Sequence, residues 1–266
     1  MPNTRKIGPR GAIRRVLTLI LDFALLHAVA FGQAPQGRPV KIGGGAGEDN
    51  LTTAINEVKQ GNYAYVRQIT VEAGQARAIP ILEDLFAHAG NADTKPWIAS
   101  ELVRLGDKDN SYWNFVAEQA REALENSPPD FLNFDQEGNG TAGPSPEFVA
   151  WAKAHHVTVE SVAFEAVYPI KFGILIATDD PRAIPLLRRG LLAPNHQVEA
   201  IAAAGLASLK DKDSIPLIVE ACKRAPKDAR FAIAMSLLQL HDPEAQSAAA
   251  PYLPEDLVKK LREGKN

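Results

Sequence analysis

The chain has 266 residues, 45% of them hydrophobic and 23% charged, with a formal net charge of −3. That hydrophobic share excludes a disordered chain, and the mildly acidic balance excludes a protein built to grip phosphate backbones. A single cysteine, Cys222, excludes an internal disulfide framework, and 7% aromatic residues beside abundant alanine point to helices packed closely on helices.

At the N-terminus Arg5, Lys6, Arg10, Arg14 and Arg15 precede an apolar run from Val16 to Phe31. A charged segment followed by an apolar one reads as an export signal over residues 1–33, with cleavage after Ala28-Val29-Ala30 or near Gly32-Gln33. Asp22 and His27 interrupt the run, and about 16 residues are few for a bilayer span. An uncleaved membrane anchor is the alternative, and the only route by which a membrane contact is expected. The residues around Arg14-Arg15 fit a twin-arginine signal poorly, so ordinary secretion to the periplasm or the cell exterior is expected. Removing residues 1–33 leaves 24 basic and 31 acidic residues, a formal charge of −7, and no nucleic-acid partner is expected.

Residues 34–50, with Gly43-Gly44-Gly45-Ala46-Gly47, lack any hydrophobic period and read as a flexible linker. They are no phosphate-binding loop, which would need a closing Gly-Lys-Ser/Thr after a strand. From Leu51 onward apolar residues follow helical spacing and no alternating strand pattern stands out. Leu51 to Gln60 and Tyr63 to Glu72 form a predicted N-terminal helix pair. Ala78-Ile79-Pro80-Ile81 opens a further unit, which closes with Leu102, Leu105 and Asp107.

The next stretch, Asp107 to Asp180, loses the pattern, although helices are expected at Ser111 to Glu125, Pro146 to His156 and Val159 to Ala177. Within it an insert over 128–157 begins with a long loop, and long loops in compact proteins usually carry function. Asp135, Glu137, Asn139 and Gly140 match positions one, three, five and six of an EF-hand-like calcium loop. Pro146 stands at the twelfth position, where a bidentate glutamate is required, so no metal is assigned. His155-His156 are adjacent and point about 100° apart on a helix, so they cannot share an ion. Phe131, Phe134, Phe148 and Trp151 form an aromatic group in a chain poor in aromatics, a candidate partner-binding patch if they do not simply pin the loop.

The most regular part is a period of 31 residues. Asp180-Pro181-Arg182-Ala183-Ile184-Pro185-Leu186 returns as Asp211-Lys212-Asp213-Ser214-Ile215-Pro216-Leu217, and Asp242-Pro243-Glu244-Ala245 opens a third copy. Ile184, Leu187 and Leu191 make one apolar stripe; after Ala193-Pro194-Asn195, Val198, Ile201, Ala202, Gly205, Leu206 and Leu209 make another. The overlay pairs Leu206 with Leu237 and Leu209 with Leu240, predicting burial at equivalent places. It places Asp180 and Asp211 at junctions, where each carboxylate is expected to cap backbone N–H groups. Cys222 falls on an apolar stripe and reads as a buried hydrophobe. Pro243 to Leu253 and Glu255 to Glu263 form a terminal pair with a charged end.

The run Asp-Pro-Arg-Ala-Ile-Pro-Leu-Leu, a turn, and then Val198-Glu199-Ala200-Ile201-Ala202-Ala203-Ala204-Gly205-Leu206-Ala207-Ser208-Leu209 before Asp211 resembles the HEAT repeat family. It is closest to the short HEAT-like repeats first described in phycobilisome bilin lyases. The resemblance is good over 180–245, moderate over 76–107 and loose elsewhere. It departs from the family pattern at Glu199, where arginine is frequent, while Arg230 fits that place in the next unit. It implies an all-α chain, an α-solenoid of about five to seven antiparallel helix pairs over 51–266, wound as a right-handed superhelix. It also implies a protein-binding surface; lyase activity is not implied.

The expected function is that of an exported scaffold or protein–protein interaction module, with a protein partner, no catalytic residues and no cofactor. The alternatives are an enzyme-associated or metal-binding module with its site in the 128–157 insert, and a solenoid anchored by an uncleaved N-terminal helix.

Overall fold

The computed structural model describes residues 48–90, 94–106, 109–130, 132–134, 140–157 and 167–262. The expected export signal, most of the expected linker, Phe131 and positions 135–139 of the calcium-like loop lie outside them. Among the described residues no helix is long and apolar enough to cross a membrane.

Among the described residues the fold is all-α apart from one two-stranded ribbon. In chain order it runs α1 (Glu48–Lys59), a 3-10 turn (Tyr63–Tyr65), α2 (Val66–Ala73), α3 (Gln75–His88), α4 (Lys95–Arg104) and α5 (Asn110–Glu125). Next come β1 (Leu132–Phe134), β2 (Gly140–Pro144), α6 (Pro146–Ala154) and α7 (Val167–Ala177). A 3-10 turn (Pro181–Ala183) leads into α8 (Ile184–Gly190) and α9 (His196–Ser208), and a second (Lys212–Ser214) into α10 (Ile215–Arg224) and α11 (Lys227–Gln239). The described chain closes with α12 (Pro243–Ala249), a 3-10 turn (Ala250–Tyr252) and α13 (Glu255–Arg262). Helix α1 begins at Glu48, so the last three residues of the expected linker are already helical.

The 31-residue period is written into the backbone. Asp179, Lys210 and His241 are non-glycine residues with φ of 50°, 57° and 49°, each standing just before the Asp that opens the next unit. At Lys210 the geometry is a Schellman motif: Lys210 N–H donates to the Ala207 carbonyl at 3.0 Å and Asp211 N–H to the Leu206 carbonyl at 2.9 Å. Gly106, with φ of 76°, fills the same place after α4 at no steric cost. In the two clearest units Pro185 and Pro216 lie in the first turn of α8 and α10, where a missing N–H breaks no helical bond. The equivalent Pro80 is interior to α3, because that helix starts four residues earlier, at Gln75.

Leu206 and Leu237 are fully buried and Leu240 nearly so, while Leu209 is half-buried. Asp180 caps as expected, accepting from Arg182 N–H at 2.8 Å, and Asp242 accepts from Glu244 and Ala245. Asp211 departs from the expectation. It stands at the junction, but its carboxylate takes no backbone N–H; it receives Arg188 Nη2 at 2.9 Å and Arg188 Nε at 3.1 Å, and Ser214 Oγ donates to it. The buried carboxylate thus accepts a charge-assisted fork from the preceding unit instead of capping its own.

Each helix packs on its chain neighbour from α1 through α5, and again through α8–α9 and α10–α11. A second line of contacts joins alternate helices, α2 to α4, α4 to α7, α7 to α9 and α9 to α11, with α5 on α8 and α10 on α12 alongside. The backbones approach closely because the facing residues are small. A Cβ on Gly190 would lie 2.4 Å from Phe172 of α7, and one on Gly205 would lie 2.9 Å from both Ile176 and Leu187.

In this pattern α5 and α7 pack on each other as a pair although residues 126–166 separate them. The irregular stretch is therefore one helix pair whose internal connection has been lengthened.

Candidate functional site

The lengthened connection supplies the least regular surface, and its local chemistry explains how it is held. Ser145, the N-cap of α6, accepts from Phe148 N–H at 3.0 Å and donates its own hydroxyl to the Asp130 carbonyl at 2.6 Å. This cross-link closes the base of the segment between Asp130 and Ser145. Just beyond it β1 and β2 pair antiparallel, Leu132 opposite Pro144 and Phe134 opposite Gly140, with an irregular register between them. No strand was expected here. Three- and five-residue strands containing Gly140 and Gly143 offer too few side chains for an alternating pattern to register.

The four aromatic candidates do not share one environment. Phe131 lies outside the described residues, and Phe134 sits in β1. Phe148 is fully buried, so it pins α6 and presents nothing to a partner. Trp151 is half-buried, 5.8 Å from the Phe148 ring, and stacks on the His155 ring at 4.4 Å. His155 Nδ1 lies 2.8 Å from the Trp151 carbonyl, and His156 has φ of 56° at the end of α6. The two histidines thus help to end a helix.

A group that motif reading did not single out ties the insert to the repeats. Asp130 Oδ1 accepts the backbone N–H of His196 at 3.0 Å, and Asp130 Oδ2 lies 3.3 Å from His196 Nε2. The other ring nitrogen, Nδ1, lies 2.6 Å from Glu199 Oε2. Glu199, 2% exposed on α9, also receives Arg224 Nη2 from α10 at 2.9 Å, and the same nitrogen donates to the Leu191 carbonyl at 2.8 Å. The imidazole is thus held between two carboxylates, with a guanidinium closing the row.

Burial alone would lower the His196 pKa. The hydrogen bond to Glu199 and the charges of Asp130 and Glu199 outweigh burial and Arg224, so the ring titrates above the ordinary imidazole range. Burial dominates at Asp130 and pushes its carboxyl up, against the charge and N–H of His196. Behind this row Cys222 is buried, its thiol pushed up to about 12 by burial, which Arg230 opposes and Glu199 reinforces.

One signal for the row was present in the sequence. Glu199 interrupts a run of small and apolar residues from Val198 to Leu206, and a buried acid requires partners. Its partners lay out of reach of any motif, since Asp130 is 66 residues from His196 and Arg224 is 25 from Glu199. No protein-family model matches the chain, no curated protein is similar to it, and no solved structure matches its fold. The resemblance to HEAT repeats accordingly rests on the residues of the repeating units themselves.

Proposed function

We propose that this chain is a HEAT-like α-solenoid that acts outside the cytoplasm as a protein–protein interaction module, with the ribbon-bearing insert as its distinguishing surface. The observation that carries this reading is the placement of the insert. Helices α5 and α7 pack as one pair, so residues 126–166 are not needed to complete a unit of the repeat. Insertions between the helices of a stacked repeat emerge at one side of the array, often the side that binds. The backbone period at Asp179, Lys210 and His241 and the contacts between alternate helices support the stacked arrangement.

Export is inferred from the sequence pattern of residues 1–33, and a protein partner from the architecture. The test is affinity capture from envelope and medium fractions of the native host, followed by reconstitution with the purified candidate. Wild-type chain is compared with a variant in which two glycines replace 131–144, a span whose ends are already joined through Ser145 and Asp130. Loss of the reconstituted complex with helicity intact supports the reading. Equal binding by both chains removes the insert from the site.

A further inference from the structure

We infer that the Asp130–His196 contact is a proton-controlled latch between the insert and α9, closed while the His196 ring carries its proton and released by alkali. The inference does not depend on the identity or existence of a partner.

Three features carry it. First, besides the burial of Ser127, Pro128 and Phe148, a polar contact joins the base of the ribbon to α9. Asp130 is the residue at the base of the ribbon, and through both carboxylate oxygens it grips one residue, His196, at the start of α9. Second, the gripping ring has no neutral substitute state. With Asp130 Oδ2 beside Nε2 and Glu199 Oε2 beside Nδ1, only the imidazolium can donate to both. A neutral ring donates from one nitrogen and turns a lone pair toward a carboxylate at the other. Third, Glu199 is committed elsewhere, since Arg224 holds its other oxygen. When the ring loses its proton, the bond on the Glu199 side is the shorter and better supported, and the Asp130 side gives way.

The charged groups facing the ring are Asp130 from the insert, Glu199 from its own helix and Arg224 from α10, with Arg230 of α11 beyond them near Cys222. Their signs fix the pH limit. His196 titrates above its ordinary value, so its contribution is complete at low pH and is lost as pH rises through the raised folded value. Asp130 also titrates above its ordinary value, so its carboxyl holds a proton more readily in the closed state than when exposed, and acid does not release the latch. The latch is therefore closed below the raised His196 value and loosens as pH rises through it.

Hydrogen–deuterium exchange of the full chain from pH 4 to 10, corrected for the intrinsic pH dependence of amide exchange, reads the latch. The readout is protection in segments 127–134 and 140–148, with α11 as the internal reference. Wild type should show protection falling on the order of tenfold as pH rises through the raised imidazole value, with no matching fall in acid. Asp130→Asn and His196→Gln should both give a flat, low profile while α11 stays protected. Asp130 lies outside any helix, so Asp130→Asn keeps the test decisive if His196→Gln fails to fold. A flat wild-type profile, or an alkaline fall that survives in Asp130→Asn, overturns the inference.

Discussion

Leu206→Ala and Leu237→Ala should cost the same, because the 31-residue overlay makes them one position in successive units. Both side chains are completely buried. Truncation leaves a cavity walled by α-helical neighbours that cannot collapse far, and such substitutions cost about 2 to 5 kcal/mol. Leu209, already half-exposed, can let water fill the space, so Leu209→Ala should cost about 1 to 2 kcal/mol. Urea unfolding followed by circular dichroism reads the differences as shifts in midpoint at constant slope. In thermal melts each kcal/mol should lower Tm by about 2 to 4 °C for a body of this size. The reasoning is refuted if Leu206→Ala and Leu237→Ala differ by more than about 2 kcal/mol, or if Leu209→Ala is the costliest of the three.

Gly190→Ala drives a methyl to 2.4 Å from Phe172 and should destabilise by about 1 to 3 kcal/mol, whereas Gly90→Ala meets nothing and should not on steric grounds; calorimetry separates them. Lys210→Gly relieves a left-handed backbone and should stabilise by up to about 1 kcal/mol, with a loss in urea midpoint contradicting the Schellman assignment. At Asp180 burial opposes ionisation, but the side-chain and backbone hydrogen bonds and the charge of Arg182 outweigh it and hold the carboxyl below its usual range. Its contribution is therefore present above the unfolded carboxylate pKa and fades as pH falls through the lower folded value. Asp180→Asn should flatten the loss of stability below about pH 4, and an unchanged acid limb would show that the cap is idle. Cys222, buried with its thiol pushed up to about 12, should resist an aromatic disulfide reagent at pH 8 until urea unfolds the chain; rapid native-state labelling would show that α10 opens locally.

Much of the helical organisation was legible because it is local. The apolar stripes of Ile184–Leu191 and Val198–Leu209 specify helices directly, and the recurring Asp-x-x-x-Ile-Pro-Leu marks where one unit hands over to the next. The left-handed residues at the junctions were not legible, since Asp179, Lys210 and His241 share no side-chain chemistry. Backbone hydrogen bonds, not residue type, set their conformation. Asp211 shows a second limit: its place at a junction was readable, but its choice of Arg188 over a cap depended on a residue 23 positions away. The insert was recognised by its irregular sequence, and its aromatic residues drew attention. Phe148 pins α6 as one of the two roles open to it, but the attachment also uses Asp130 and Ser145, short polar residues whose role appears only once α9 is placed beside them.

The account turns on the insert as the surface that distinguishes one partner. Its most direct test is calorimetric titration of the purified partner into the wild-type chain and into the chain with 131–144 replaced by two glycines, both verified as helical. The account predicts saturable binding to the wild type and none measurable to the shortened chain. Equal affinities for the two would contradict it and move recognition to the repeat surface.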